Sequence, residues 1–293
     1  MSTKKPSPLF ADLGLVTVTI FWGSTFILSK IILEQIPLVI YLNIRLNLAA
    51  LMLSLYAFRY RKEFSIKTLY HGVIMGVFLF LSYFFQMWGI QYTSASNAGF
   101  ITGLNVVFVP LFSILFFGDH PRLSSIIGVI FATCGLYFLS GGDFSALSKG
   151  DWLVFVCAIT VTFHVIYTGK FASRNNIYLL TAIQLIVTGL LSLTLLPFAS
   201  EQIPTISIHF LAVLLYLALF GTVYTFLMQT AMQRFTTATR TALVFSLEPV
   251  FATLFAFLIA GEVLTSTGWF GGFLIICGML IAEIRWKNIF IQK

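Results

Sequence analysis

The chain has 293 residues, of which 59% are hydrophobic and only 9% charged, and its formal net charge is +7. A soluble domain carries about 25% charged residues, so this composition leaves too few polar groups to cover a water-facing surface; it excludes a soluble enzyme and fits a polytopic membrane protein. Nor does the positive charge mark a nucleic-acid binder, because Lys and Arg sit in short interhelical loops and at the chain ends, without a continuous stripe or a soluble domain to carry one.

A bilayer-spanning helix needs roughly 20 mainly apolar residues. In chain order, such runs are predicted at about 11–33, 38–58, 69–91, 95–117, 123–141, 152–170, 178–198, 209–232, 238–260 and 267–286, which makes this an all-α integral membrane protein of ten transmembrane helices. The first run follows Lys4 and Lys5 as the core of a signal peptide would. It continues for more than 20 residues without a small-residue cleavage site, so it reads as a retained helix. Of the 17 Lys and Arg residues, Lys30 and Arg45 fall within spans and Lys149 alone falls on the outer side; the others lie on the inner side and put both termini in the cytoplasm.

The polar residues inside these runs are the candidate site, since lipid penalises idle polar groups. The first span carries Trp22, Ser24 and Thr25 near its middle, with Trp22 too deep for an interfacial belt. Lys30 near its outer end reads as snorkelling. Arg45 lies about two turns into the second span, where it either snorkels to the outer headgroups, the favoured reading, or pairs with an anionic substrate group. The third span offers Tyr83 and Gln86, with Trp88 and Tyr92 as belt residues. The fourth offers Asn97, Thr102 and Asn105, of which Asn97 and Asn105 are eight apart and share a face; they either bind substrate or bond between helices. Ala95, Gly99 and Gly103 form a ridge of small residues suited to close packing. In the sixth span Thr160, His164 and Thr168 form a polar stripe, with Tyr167 beside it. His164 either binds substrate or carries a proton, or is a neutral histidine bonded to a neighbouring helix. The eighth offers Thr222, Tyr224, Thr225 and Gln229. The ninth holds Glu248 followed by Pro249. A carboxylate at mid-bilayer is unfavourable by roughly 2.5–3.5 kcal/mol, so Glu248 is expected to face the bundle interior, as a coupling site, a counter-charge for a substrate amine, or a structural carboxyl beside a proline kink.

The sequence also resembles itself at a shift of 143 residues. "TSASNAGF" (93–100) lies over "TTATRTAL" (236–243), Gly118-Asp119 over Gly261-Glu262, Gly128 over Gly271, and Cys134-Gly135 over Cys277-Gly278. Earlier spans match at a shift near 139, which puts Asp12 over Asp151 and Arg45 over Gln184. The expected organisation is therefore two inverted five-helix repeats, 1–142 and 150–293, in one transmembrane domain, an arrangement suited to alternating access. Asn105 lies over Glu248, and both halves carry a proline close by, Pro110 and Pro249, as candidate hinges. Asp119 and Glu262 read as helix-end caps or gate residues.

Three stretches, "FWGSTF" (21–26), "TSASNAGFITGLNVVFVPL" (93–111) and "LEPVFATLFAFLIAGEVLT" (247–265), together with the two-repeat plan, resemble the EamA family of the drug/metabolite transporter superfamily over almost the whole chain. The resemblance implies an inner-membrane carrier that exports amino acids or other small metabolites. It also implies a central cavity lined by helices 1, 3, 4, 6, 8 and 9, with helices 5 and 10 more peripheral, and the Glu248-Pro249 pair looks like a family-wide element. The departure is in the sixth span, where "TVTFHVIYTGK" (160–170) replaces the usual aromatic-small pair.

The expected function is secondary-active transport about a mid-membrane cavity, with a passive channel or facilitator as the alternative. An enzyme is not expected: Ser24 and His164 lack a GxSxG context and a second carboxylate, and His71, His120 and His209 lie at span ends. No nucleotide-binding GxxxxGK[ST] loop occurs. Cys134, Cys157 and Cys277 lie in apolar runs without metal-ligand spacing and read as small buried hydrophobes. No metal, cofactor or nucleic acid is expected; the partners are a small-molecule substrate and the bilayer. The protein is a monomer or homodimer, since Gly128/Ala132 and Gly268/Gly272 could pack within one chain or between two.

Overall fold

The computed structural model describes residues 8–139, 148–199, 208–261 and 266–283. Every regular element among them is helical: α1 (Pro8–Leu33), α2 (Leu38–Ala57), α3 (Ile66–Ile90), α4 (Ala95–Gly103), α5 (Asn105–Phe117), α6 (Leu123–Leu139), α7 (Lys149–Phe171), α8 (Ile177–Leu193), α9 (Ile208–Ala218), α10 (Thr225–Met232), α11 (Ala238–Phe245), α12 (Glu248–Ala260) and α13 (Ser266–Glu283). Eight helical stretches are long and apolar enough to cross a membrane, and α6 and α13 provide two shorter apolar helices. Glu262 and the basic residues Lys4, Lys5, Arg285, Lys287 and Lys293 lie outside the described residues.

Caps set several helix starts earlier than hydropathy alone suggests. Ser65 accepts the Thr68 amide at 3.1 Å and begins α3 at Ile66. Ser148 and Asp151 form a reciprocal capping box that begins α7 at Lys149.

Three predicted continuous spans are interrupted. The fourth breaks at Leu104, between α4 and α5, and the ninth at Ser246–Leu247, between α11 and α12. The eighth contains a π-helical turn, Leu219–Tyr224, between α9 and α10. Pro249 occupies the first turn of α12, where its missing N–H leaves no bond unmade. Pro110 lies inside α5, six residues after the break.

Several features recur at the 143-residue shift. Leu104 and Leu247 occupy matching positions immediately before α5 and α12. Ser94 caps α4 and Thr237 caps α11 with their hydroxyls. Gly118 and Gly261 end α5 and α12 in the left-handed conformation, at φ +67° and +70°, which a side chain would strain. α6 packs along α13 through reciprocal close approaches. A Cβ on Gly128 would stand 2.6 Å from the Gly278 carbonyl, and one on Gly135 would stand 2.6 Å from that of Gly271. Gly128 and Ala132 thus pack within the chain, and Gly272 faces Val250 of α12. The small-residue ridge of α4 also packs closely, with Gly99 against Ala252 and Gly103 against Leu136 and Pro249. Cys157 is buried, whereas Cys134 is exposed on α6 and Cys277 is only partly covered, so two of the three cysteines are not core residues.

α3 lies against α7 and α8, α2 against α8, and α1 against α12 and α10. Side-chain contacts identify the two ends of this bundle. At the proximal end, where α1 begins, Asp12 chelates Arg240 and Lys170 meets Asp119. At the distal end, Lys30 donates to the Thr93 carbonyl at 3.3 Å and the Thr93 hydroxyl donates to Asp151 at 2.6 Å.

Candidate functional site

Midway between these ends lies a cavity of ≈ 50 Å³, lined by Trp22, Thr25, Arg45, Leu79, Ser82, Tyr83, Gln86, Thr102, Cys157, Val161, Phe226 and Glu248. Its walls come from α1, α2, α3, α4, α7, α10 and α12. The α3 contribution has the i, i+3, i+4, i+7 spacing of one helix face, namely Leu79, Ser82, Tyr83 and Gln86.

Arg45 is 1% exposed and does not snorkel. Its Nε donates to Thr222 Oγ1 at 3.1 Å and its Nη1 to Tyr41 Oη at 2.7 Å and Ser29 Oγ at 3.3 Å. Its Nη2 donates to Tyr83 Oη at 3.3 Å and to the Gly221 carbonyl at 3.2 Å, and the guanidinium lies 4.8 Å from the Tyr83 ring centre. The π-helical turn provides part of this cradle. The Thr222 hydroxyl bonds back to the Leu217 carbonyl, five residues earlier, while the Gly221 carbonyl turns to the guanidinium. A side chain at Gly221 would enter the same space, since its Cβ would stand 3.2 Å from Arg45 Nη2. All five acceptors are neutral. A long helix-end arginine is ordinarily free to reach the headgroups; here α1, α3 and the π-helical turn enclose it.

Glu248, 6% exposed, is the first residue of α12, and its carboxyl makes no hydrogen bond to a described residue. The ion pairs among the described residues are Lys170–Asp119 and Arg240–Asp12, so neither Arg45 nor Glu248 is neutralised by an opposite charge.

Six of the predicted residues therefore share the cavity: Trp22, Thr25, Tyr83, Gln86, Thr102 and Glu248. Gln86 Nε2 donates to Thr102 Oγ1 at 3.3 Å across it. The other candidates lie elsewhere. Ser24 bonds to the Phe21 carbonyl and to Tyr216 Oη on another side of α1. Thr222 holds Arg45 from behind the wall. Tyr224 bonds to Thr17 at 2.7 Å, and Gln229 donates to Gln233 at 2.9 Å. Tyr224 ends the π-helical turn and Gln229 follows it; such a turn inserts an extra residue, so later side chains are rotated by about 100° from a regular-helix projection.

Asn97 is exposed in the first turn of α4, and the break at Leu104 removes the straight-helix basis for placing it with Asn105. Asn105 is buried with its Oδ1 unpartnered, but it is not in the wall. Tyr167 belongs to a stack of rings with Phe78 and Phe171. His164 lies one layer behind the cavity, edge-on to Phe226, and its Nε2 meets Gln184 Oε1 at 2.8 Å. The α7 wall consists of Cys157 and Val161 instead of the polar stripe; Thr160 accepts from Ser82 at 3.0 Å.

Arg45, Leu79, Ser82, Cys157, Val161 and Phe226 were not among the predicted lining residues. The α3 pair was legible from its spacing with Tyr83 and Gln86. Arg45 also had a signal, because its mate at a shift of 139 is Gln184, which bonds to His164 on the matching helix pair just as Arg45 bonds to Ser29 on its own.

The family model for the EamA-like transporter family matches residues 9–141 and 148–283. The chain belongs to the EamA-like transporter family. An "Uncharacterized transporter" of Archaeoglobus fulgidus is 33% identical over 277 residues, covering 94% of this chain and 87% of the relative. The "Uncharacterized inner membrane transporter YedA" of Escherichia coli (strain K12) is 26% identical, covering 98% of this chain and 94% of its own length. A solved crystal structure matches with a TM-score of 0.75 at 18% identity, over 93% of this chain and 95% of that one, a likeness of fold. An EamA-like chain with apolar spans is a multi-pass membrane protein of a transporter family, which implies a small-molecule substrate and a surrounding bilayer.

Proposed function

We propose that this EamA-like protein is a secondary-active carrier that exports amino acids or related small metabolites by alternating access about the mid-span cavity. One observation carries the reading: a guanidinium and a carboxyl, Arg45 and Glu248, border the same small cavity and neither has a charged partner. A zwitterion satisfies both charges at once, its carboxylate displacing the neutral acceptors at 3.3 and 3.2 Å from Arg45 Nη2 and its ammonium at Glu248. Trp22, Leu79, Val161 and Phe226 supply an apolar wall for the remainder of the ligand.

A volume of ≈ 50 Å³ is room for one or two waters, at about 30 Å³ each. Entry of a metabolite therefore requires the helices to part. The breaks before Asn105 and Glu248 are the proposed hinges, with Pro249 in the second. The matching breaks, caps, left-handed glycines and reciprocal α6–α13 contacts support reading 1–142 and 150–293 as two inverted five-helix repeats. The one-sided distribution of Lys and Arg supports cytoplasmic termini, and the name of the Escherichia coli relative supports an inner-membrane location.

Counterflow in proteoliposomes tests this reading. Labelled amino acid should accumulate faster when unlabelled substrate is inside, which a passive channel would not show. Arg45→Gln and Glu248→Gln should each weaken uptake by about ten- to a hundredfold, since hydrogen bonds to charged groups contribute about 1.5–3 kcal/mol. If Glu248 carries the coupling proton, Glu248→Gln should also flatten the pH dependence of uptake. Unchanged flux in both variants would remove the cavity from the mechanism.

A further inference from the structure

The proximal end contains a second and larger cavity, of ≈ 480 Å³, which shares no residue with the mid-span one. We propose that this cleft is a binding site for a small oxyanion, a carboxylate or phosphate group, and that it is distinct from the carrier site. The inference does not depend on transport.

Charge is the first ground. Among the cations of the wall, Arg240 is taken by Asp12 and Lys170 is paired with Asp119 at 3.0 Å. Arg122 has no such partner among the described residues, and His120 lies beside it in the wall.

Helix polarity is the second. The starts of α6 and α11 both reach the cleft, through Arg122 and Ser125 and through Thr237–Arg240. First-turn amides have no intrahelical acceptor and carry partial positive charge; in α11 one of them, that of Arg240, is already taken by the Thr237 hydroxyl at 3.2 Å. Two opposing helix ends are also present, and some of their carbonyls are occupied. In α5 the amides of Gly118 and Asp119 return to Ile114 and Ser113, and in α7 that of Ala172 returns to Thr168.

Buried hydroxyls are the third. Ser113, Ser125 and Thr239 are only 3%, 8% and 6% exposed, line the cleft, and make no side-chain hydrogen bond to a described residue. Thr236 also lines the cleft, and its Oγ1 is buried and bonds to no described residue.

The distal end shows what such a hydroxyl binds. Thr236 is the 143-residue mate of Thr93, and the Thr93 hydroxyl donates to the carboxylate of Asp151 at 2.6 Å. The mate of Asp151 is Asp12, whose carboxylate is engaged by Arg240. The position that one end fills with its own carboxylate is left at the other end to a ligand bearing the same group.

The test uses the full-length protein in neutral detergent free of anionic lipid, titrated calorimetrically with inorganic phosphate. Binding should be saturable, about tenfold weaker in Arg122→Gln and about three- to tenfold weaker in Thr236→Val, the range expected for losing one charge-assisted or one neutral donor. Lys149→Gln removes one positive charge at the far end and should change nothing. Unaltered thermal unfolding shows that the variants are folded.

A second arm places the protein in nanodiscs of phosphatidylglycerol or phosphatidylcholine and counts retained lipids by native mass spectrometry. Phosphatidylglycerol retained through Arg122 and displaced by phosphate identifies the oxyanion as a lipid headgroup; equal phosphate binding in both lipids identifies a free anion. Absence of saturable binding in both arms, or binding indifferent to Arg122→Gln and Thr236→Val, overturns the proposal. Counterflow on the same preparations reports separately on the carrier reading.

Discussion

The two ends of the bundle use related residues to opposite effect. At the distal end Asp151 does two jobs: it completes the capping box of α7 and accepts the Thr93 hydroxyl at the start of α4. Lys30 then closes onto the Thr93 carbonyl, and Lys149 lies over the rings of Trp88 and Tyr92. At the proximal end Asp12 is drawn away by Arg240, the mate of neutral Asn97, and the threonine hydroxyl it would otherwise accept is left alone beside a cleft. Where Asn97 stands at one end and Arg240 at the other, and Ser148 at one and Leu9 at the other, the carboxylate meets a guanidinium instead of a hydroxyl and a cap. An ion pair outcompetes a neutral hydroxyl donor, so the proximal end is held by charge and the distal end by capping.

Breaking the stronger tie should have the largest effect. The side chains of Asp12 and Arg240 are 9% and 15% exposed. Removing one partner by Asp12→Asn leaves a guanidinium poorly solvated, and the destabilisation should reach about 3–5 kcal/mol, as for other buried pairs. Denaturant titration in mixed micelles measures this, and the double variant with Arg240→Gln should recover part of the loss. Asp151→Asn at the distal end removes a cap and a hydrogen bond but strands no charge, so it should be milder, about 1–2 kcal/mol. If the two aspartates proved equivalent, charge and capping would not be what separates the ends.

Eight of the ten expected spans were legible because each is a long apolar run, while α6 and α13 are shorter apolar helices; the likeness of the two ends was legible because glycines and threonines recur at a fixed spacing. Half of the mid-span cavity was also legible: Thr25, Tyr83, Gln86, Thr102 and Glu248 are polar groups in lipid-spanning helices, which turn inward, and Trp22 lies too deep for an interfacial belt. The rest was hidden for specific reasons. Arg45 is near a helix end, where a single-helix argument favours snorkelling; its burial comes from Ser29, Tyr83 and Gly221, which are remote in sequence. Tyr224 and Gln229 turn to Thr17 and Gln233 at and beyond a π-helical turn that no residue type announces. At the first break Gly103 precedes Leu104, but it also belongs to a packing ridge of small residues, so the mate of Leu104 before Pro249 is the clearer sign.

Substituting the paired threonines sharpens the comparison at a smaller scale. Thr93→Val should destabilise by about 1 kcal/mol, since it leaves a buried carboxylate oxygen short of a donor. Thr236→Val removes a hydroxyl that bonds to no described residue, so in phosphate-free buffer its unfolding midpoint should stay at the wild-type value or rise slightly. Differential scanning fluorimetry of the two variants side by side is sufficient. Equal losses would mean that the two hydroxyls have equivalent surroundings.

The smallest effect on stability is expected at Asp119. Its side chain is 60% exposed and that of Lys170 33% exposed, and Lys170 also lies 4.4 Å from the Phe117 ring centre, a second partner that survives the change. Exposed pairs contribute about 0.2–1 kcal/mol and are screened by salt, so Asp119→Asn should move the unfolding midpoint little, and less at high ionic strength. The same substitution removes the carboxylate from the wall of the proximal cleft and releases Lys170 to face it. Phosphate should then bind more tightly than to the wild type, by a margin that shrinks as salt is added. A variant that is nearly silent in unfolding but stronger in anion binding would separate what holds this end together from what it is able to hold.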